Sequence, residues 1–385
     1  MFSVLAVLCS GILALEPANH AVSRDYAITC CSATSRDEII GLQGALLRYQ
    51  SILRTGGWPE VPAGEPLGLG SIDPRVRIVR QRLVRTGELP HSAVIARSPE
   101  MFDGQVVLGV RRFQERHGLS VTGVLDSKTA EAMSVPVEER IRQLRANLWR
   151  LRWVPAENHG RLVRVNVPAY EVTLYEHGEV VARMRAVVGR VDRPTPVLFS
   201  EINILEVNPS WWVPPRIARE RILPNAARDP DWLRQRGYEL RDGGTPVDPG
   251  KVDWSQVEEK GRLPYTIRQR PGSGNAMGRV KFIFPNDRMI YLHDTPARGV
   301  FERLRRDLSH GCVRVQRPVV LARFLLQHKE EENAEAVLAA IRGEGFRATR
   351  RIELPAPVTI QIVYLTAWVD ERGVLQFRTD VYGKD

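Results

Sequence analysis

The chain has 385 residues, 43% hydrophobic and 26% charged, with a formal net charge of +10. That length exceeds one comfortable core, so two or three domains are expected. The positive charge is mostly arginine spread along the chain, which suits an anionic polymer or an anionic membrane surface. No zinc-finger spacing, RNA-binding aromatic motif or basic low-complexity tail accompanies it, so no nucleic-acid partner is expected.

Residues 1–18 read as a targeting segment. The apolar run from Phe2 to Leu15 is too short to span a bilayer comfortably and suits the core of a secretory signal, with Ala14 or Ala18 before the cleavage point. Export to the periplasm is the expectation, with membrane proximity through this segment. The four cysteines are Cys9, Cys30, Cys31 and Cys312. Adjacent Cys30 and Cys31 bridge each other only with strain, and neither C-x-x-C nor any metal spacing occurs, so no metal site is expected.

Residues 19–70 read as a linker, a helix over 37–53 whose apolar positions include Leu42 and Leu46, and a loop dense in Gly and Pro. Residues 71–136 read as a small helical unit. Asp73-Pro74 opens one helix. Val106, Val107, Val110 and Phe113 form the stripe of a second that stops at His117-Gly118, and Asp126 caps a third. The run Phe113-Gln114, His117-Gly118-Leu119, Thr122-Gly123 and Leu125-Asp126 resembles the three-helix peptidoglycan-binding domain of many cell-wall enzymes. A connecting helix follows in 137–160.

From residue 161 the period becomes alternating. Strands are expected at 162–167, 171–175 and 180–188, with His177-Gly178 as a tight turn, and again at 278–284 and 289–292. A helix is expected over 318–327 and strands at 358–364, 367–370 and 374–378. The segment 209–275 interrupts this pattern with prolines and with Trp211, Trp212, Trp232 and Trp254. It reads either as a lid or as a surface insertion with its own aromatic core, and both can hold.

Ser309-His310-Gly311-Cys312-Val313-Arg314, with His293 upstream in Tyr291-Leu292-His293-Asp294-Thr295-Pro296, has the composition of a thiol nucleophile site. A histidine takes the proton, nearby positive charge stabilises the thiolate, and Gly311 clears space beside the sulfur. The flanks are polar, unlike those of a buried structural cysteine. The pattern His-x15-Ser-His-Gly-Cys-x-Arg resembles the signature of the YkuD-type L,D-transpeptidases. Lys281-Phe282, Phe284-Pro285-Asn286, Asn208-Pro209, Asn275, Gly278 and Asp380-Val381-Tyr382-Gly383 look like that family too, in its large Gram-negative form.

The resemblance implies a multidomain α+β fold: a mostly β, sandwich-like catalytic domain over 161–385 with a lid insertion near 209–275, behind the helical domain. It implies that Cys312 attacks a tetrapeptide stem, releases D-alanine and forms a thioester, which an amine of a neighbouring stem resolves. His293 would be the base, and His310 would support the site, projecting beside Cys312 if the backbone is extended. The backbone of Gly311 and Cys312 would meet the oxyanion. Arg314 would pair a stem carboxylate or hold its loop, and Tyr291, Ser309 and Trp211 would contact substrate. Peptidoglycan stems and glycan strands are the implied partners, and no cofactor is implied because a thioester conserves the energy of the broken amide. A carboxypeptidase, a lipoprotein-anchoring enzyme and a non-catalytic wall-binding protein remain alternatives.

Overall fold

The computed structural model describes residues 33–155, 160–229, 231–254, 257, 264–327 and 330–385. The targeting segment, Cys9, Cys30 and Cys31 lie outside the described residues. Helix α1 (Ala33–Arg54) leads into a loop and then the helical unit, α2 (Arg75–Thr86), α3 (Gly104–Arg116) and α4 (Ser127–Ser134). The turns at Asp73 and Asp126 open helices as expected, and Asp103 caps α3 in addition. Asp73 accepts from the Arg75 N–H at 2.8 Å, Asp103 from Val106 at 3.0 Å, and Asp126 from Thr129 at 2.8 Å. Buried Val76, Val79, Leu83, Val106, Val110, Phe113 and Met133 form one core. Gln114, also buried, organises the loop before α4 by donating to Val124 O and accepting from Gly123 N–H.

Helix α5 (Val137–Leu151) packs against α1, and together they rest on a hairpin near the C-terminus. The β domain begins with β1 (Arg161–Asn166), β2 (Glu171–Glu176), β3 (Glu179–Gly189) and β4 (Leu198–Val207). His177 and Gly178 both take positive φ, 51° and 87°, as the two-residue turn between β2 and β3 requires. An insertion then contributes β5 (Trp211–Trp212), β6 (Tyr238–Asp242), β7 (Thr245–Val247) and β8 (Thr266–Gln269). These make a separate sheet in the order β5-β8-β6-β7 over a core that includes Val213, Leu233, Leu240 and Trp254. The insertion is therefore a folded unit with its own aromatic core. Its two ends are tied by buried Asn275, whose side-chain amide donates to Pro209 O and Arg270 O.

The main sheet resumes with β9 (Val280–Ile283), β10 (Leu292–His293), β11 (Asp307–Ser309) and β12 (Val313–Val315). Helices α6 (Pro318–Leu325) and α7 (Glu331–Arg342) follow, then β13 (Arg350–Val363), β14 (Ala367–Val369) and β15 (Leu375–Phe377). The main sheet has 9 strands in the order β11-β3-β12-β10-β9-β4-β13-β1-β2, and β3 also pairs with β2. Long β3 pairs with β2 up to Arg185 and with β12 from Ala186, so the sheet closes on itself. Inward residues such as Val163, Val188, Phe282, Leu292 and Val313 meet Leu321, Leu325, Leu338 and Ile341 of α6 and α7 in one core. The chain is thus a multidomain α+β protein.

Three local expectations are corrected. The strand expected over 289–292 shrinks to β10, because the Asn286 side-chain carbonyl accepts from Arg288 and Ile290 N–H and turns the chain, leaving Met289 at φ 54°. The strand β4 and helix α7 fall where no element is expected. The backbone through 310–312 is not extended, since Gly311 sits at φ 113°.

Candidate active site

Two adjacent strands carry the site. β10 and β12 run parallel, pairing Leu292 with Val313 and His293 with Arg314, and β9 pairs Lys281 with His293 on the other side. Because cross-strand partners share a face, Leu292 and Val313 enter the core while Lys281, His293 and Arg314 form a row on the opposite face. Glu206 of β4, opposite Lys281, extends that row.

Cys312 immediately precedes β12 and is half-buried. It leaves a tight turn. Ser309 Oγ donates to Cys312 O at 2.5 Å and accepts from the Gly311 N–H at 3.1 Å. The positive φ of Gly311 permits that geometry, and a side chain there would meet Ile290 at 3.3 Å. Thr195 holds the turn from the other side: its hydroxyl donates to Gly311 O at 2.7 Å and accepts from Gly189 N–H at 2.8 Å. Tyr382 in turn donates its hydroxyl to Gly189 O at 2.6 Å.

Burial pushes the Cys312 thiol above its usual value, against the opposing pull of the Tyr291 backbone and the charges of Lys281 and Arg314. His293 is buried, and burial followed by the Arg314 charge takes it down to about 3. It is a neutral imidazole near pH 7. Its Nδ1 lies 2.5 Å from the Asp294 carbonyl oxygen and the ring also hydrogen-bonds the Met277 backbone; a proton on Nδ1, donated to Asp294, leaves Nε2 as the basic nitrogen. Asp294 is fixed by accepting from Arg279 N–H at 2.8 Å, and Gly278 leaves it room, since a Cβ there would lie 2.4 Å from its carboxyl carbon.

The other expected residues are distributed as follows. Tyr291 lies under Lys281, whose Nζ is 3.7 Å from the ring centroid. His310 turns toward the insertion, where its Nε2 is 4.0 Å from Glu220, and burial with the Arg221 charge lowers it to about 4. Ser309 is buried in the turn described above. Trp211 pairs with Gln269 in β8 and packs 6.4 Å from Tyr238 inside the insertion. Arg314 lines a cleft between sheet and insertion. Lys281 and Thr195 were not singled out from the sequence as site residues; both act across strands, where spacing carries no signal. Among the described residues no cluster of His, Cys, Asp and Glu could hold a metal ion.

A cysteine at the start of β12, with a neutral imidazole on the neighbouring strand and two cations whose charge favours its thiolate, is an arrangement suited to acyl transfer through sulfur. Residues 160–342 match the family described as "L,D-transpeptidase catalytic domain" (YkuD), and residues 73–133 match the "Putative peptidoglycan binding domain". A Haemophilus influenzae protein named "Putative L,D-transpeptidase" is 35% identical over 246 residues, covering 63% of this chain and 48% of that protein. The chain thus spans about half the length of that curated relative. A solved L,D-transpeptidase from Mycobacterium smegmatis overlaps 53% of this chain and 58% of its own at 15% identity and TM-score 0.25. One from Stackebrandtia nassauensis overlaps 79% and 96% at 12% identity and TM-score 0.26. Scores that low carry no argument about how the two folds correspond.

Proposed function

We propose that this chain, whose residues 160–342 match the L,D-transpeptidase (YkuD) catalytic domain and 73–133 the peptidoglycan-binding domain, cross-links peptidoglycan stem peptides through a thioester on Cys312. The Cys312 sulfur attacks the carbonyl that precedes the terminal D-alanine of a tetrapeptide stem, while His293 Nε2 takes the thiol proton. That proton then passes to the departing amine, and the tetrahedral intermediate collapses to a thioester and free D-alanine. The amine of a second stem attacks the thioester, loses its proton to His293, and leaves an amide cross-link with the thiol restored.

Lys281 and Arg314 stabilise the negative charge on sulfur, and backbone N–H groups of the 311–312 turn meet the oxyanion. The Gly311 N–H is held by Ser309 in the free protein, so it must change partner to serve there. The observation that carries this reading is the parallel pairing of β10 with β12, which fixes His293 beside the strand that begins at the nucleophile. The helical domain would hold the enzyme on glycan strands. The proposal places the protein in the periplasm, where this substrate lies, and the apolar run from Phe2 to Leu15 supports export.

The test is incubation of the protein, and separately of Cys312→Ala, with a disaccharide tetrapeptide, followed by mass spectrometry. A dimer lacking one D-alanine is expected, and is absent with the variant. A tripeptide monomer alone would replace cross-linking by carboxypeptidase activity. No change in the substrate would overturn the catalytic reading.

A further inference from the structure

The insertion meets the sheet at a cleft of about 870 Å³, inside the roughly 300–1,000 Å³ range of ligand sites. One wall is Arg314 of β12 with Thr295–Ala297, the residues that follow the His293 strand; the other is insertion, including Arg221, Arg236 and Tyr238. Guanidinium groups gather here without matching anions. Glu220 is engaged by Arg193 and Arg216, and Glu239 by Arg268 and Arg270. That leaves Arg221, Arg236 and Arg314 with no carboxylate partner among the described residues, and the buried Arg314 Nε has no hydrogen-bond partner.

Three further observations point the same way. Arg221 is near enough that its charge lowers both Arg314 and His310, so it reaches from the insertion to the nucleophile loop. It rides on a π-helical turn, Ala218–Ile222, a local irregularity that recurs at functional sites. Arg236 lies over the Trp232 ring at 5.1 Å, which steadies the face of the guanidinium and leaves its edges for a ligand. Like charges held together in a partly buried site raise the free energy of the empty protein, and a bound anion relieves that cost.

We propose that this cleft is a carboxylate-binding subsite shared by Arg221 and Arg236 of the insertion and Arg314 of β12, taking the free carboxylates of an acidic peptide while Cys312 reacts with that peptide's carbonyl. The identity of the peptide rests on the transpeptidase reading; the preference for carboxylates does not. The insertion is then part of the binding site as well as its cover.

The experiment uses the full chain carrying Cys312→Ala, which binds without turnover. Fluorescence anisotropy gives dissociation constants for a labelled stem tetrapeptide and for the same peptide with its carboxylates converted to primary amides. The free acid is expected to bind about tenfold tighter, the effect of one charge-assisted contact. Adding Arg221→Gln and Arg236→Gln brings the ratio near one, whereas Arg221→Lys, which keeps the charge, retains most of it, and Arg145→Gln on the exposed face of α5 leaves it unchanged. Both cleft side chains are exposed, so the melting temperature of the double variant is expected to match the parent. Equal affinity for the two peptides in the parent, or an unchanged ratio in the folded double variant, overturns the proposal. A protein that keeps the carboxylate preference yet forms no cross-link loses the transpeptidase reading alone. One that cross-links free and amidated stems equally well loses the cleft alone.

Discussion

Lys281 bears on the charge of Cys312, the proposed nucleophile. With His293 lowered to about 3, the resting site holds no imidazolium, so a thiolate on Cys312 cannot lean on one. The cations that favour that thiolate are Lys281 and Arg314. Lys281 is itself half-buried, and burial lowers it while Glu206 and the Cys312 anion raise it, which is the mark of a charge kept in place by its neighbours. At an effective dielectric of about 20 a unit charge some 6 Å away contributes roughly 3 kcal/mol, and each 1.36 kcal/mol is about one pH unit. Removing a positive charge disfavours the thiolate, so Lys281→Met is expected to move the pH midpoint of Cys312 alkylation by iodoacetamide upward by about one unit or more. Lys281→Arg is expected to stay near wild type. Alkylation rates followed by mass spectrometry against pH make the comparison, and an unmoved midpoint in Lys281→Met would reduce the residue to a support for the Tyr291 ring.

The turn that carries Cys312 is held by elements far from it in sequence. Thr195, between β3 and β4, links Gly189 at the end of β3 to Gly311, and a Cβ on Gly189 would meet the Arg193 carbonyl oxygen at 2.1 Å. The tight turn from Gly189 to Thr195 is thus set by backbone against backbone. Thr195→Val keeps the shape but leaves a buried N–H and a carbonyl unpaired, at a cost of about 1–3 kcal/mol each before relaxation. The expected result is a lower melting temperature and slower thioester formation, with iodoacetamide alkylation of Cys312 still measurable; unchanged acylation would show that the turn holds without it. Such ties explain what the sequence makes legible. The helix cap at Asp126 and the His177-Gly178 hairpin are local signals and stand where expected. β4 escapes because its Ser, Glu and Asn blur the alternation, although it lies between β9 and β13. Lys281 and Thr195 escape because their meaning depends on register and on loop closure, which no short window of residues records.

On the scale of the whole chain, the helical unit is joined to the β domain through buried polar groups. Arg116 of α3 pairs with Glu88 and donates to Leu375 O in β15, while Arg378 donates to Arg116 O at 3.1 Å. Gln143 of α5 donates to Thr366 O and Arg378 O. His117 lies in this joint, stacked 3.7 Å from Phe113 of its own unit and 5.4 Å from Phe377 of β15. Its Nε2 is buried without a partner, and burial, then the charges of Arg116 and Arg140, hold it well below the usual histidine value. His293 is lowered to about 3 for the same first reason. In the unfolded chain both titrate near 6.5. Between that pH and the folded values the unfolded state binds more protons, so stability is full above about pH 6.5 and falls as pH drops. Each such histidine contributes a slope approaching 1.4 kcal/mol per pH unit. His117→Gln removes one of them while filling much the same space. Melting temperatures from pH 7.5 to 4.5 are therefore expected to fall less steeply in His117→Gln than in the parent, with the two domains melting in one transition in the parent because they share this joint. Equal slopes would mean that His117 already takes its proton in the folded protein.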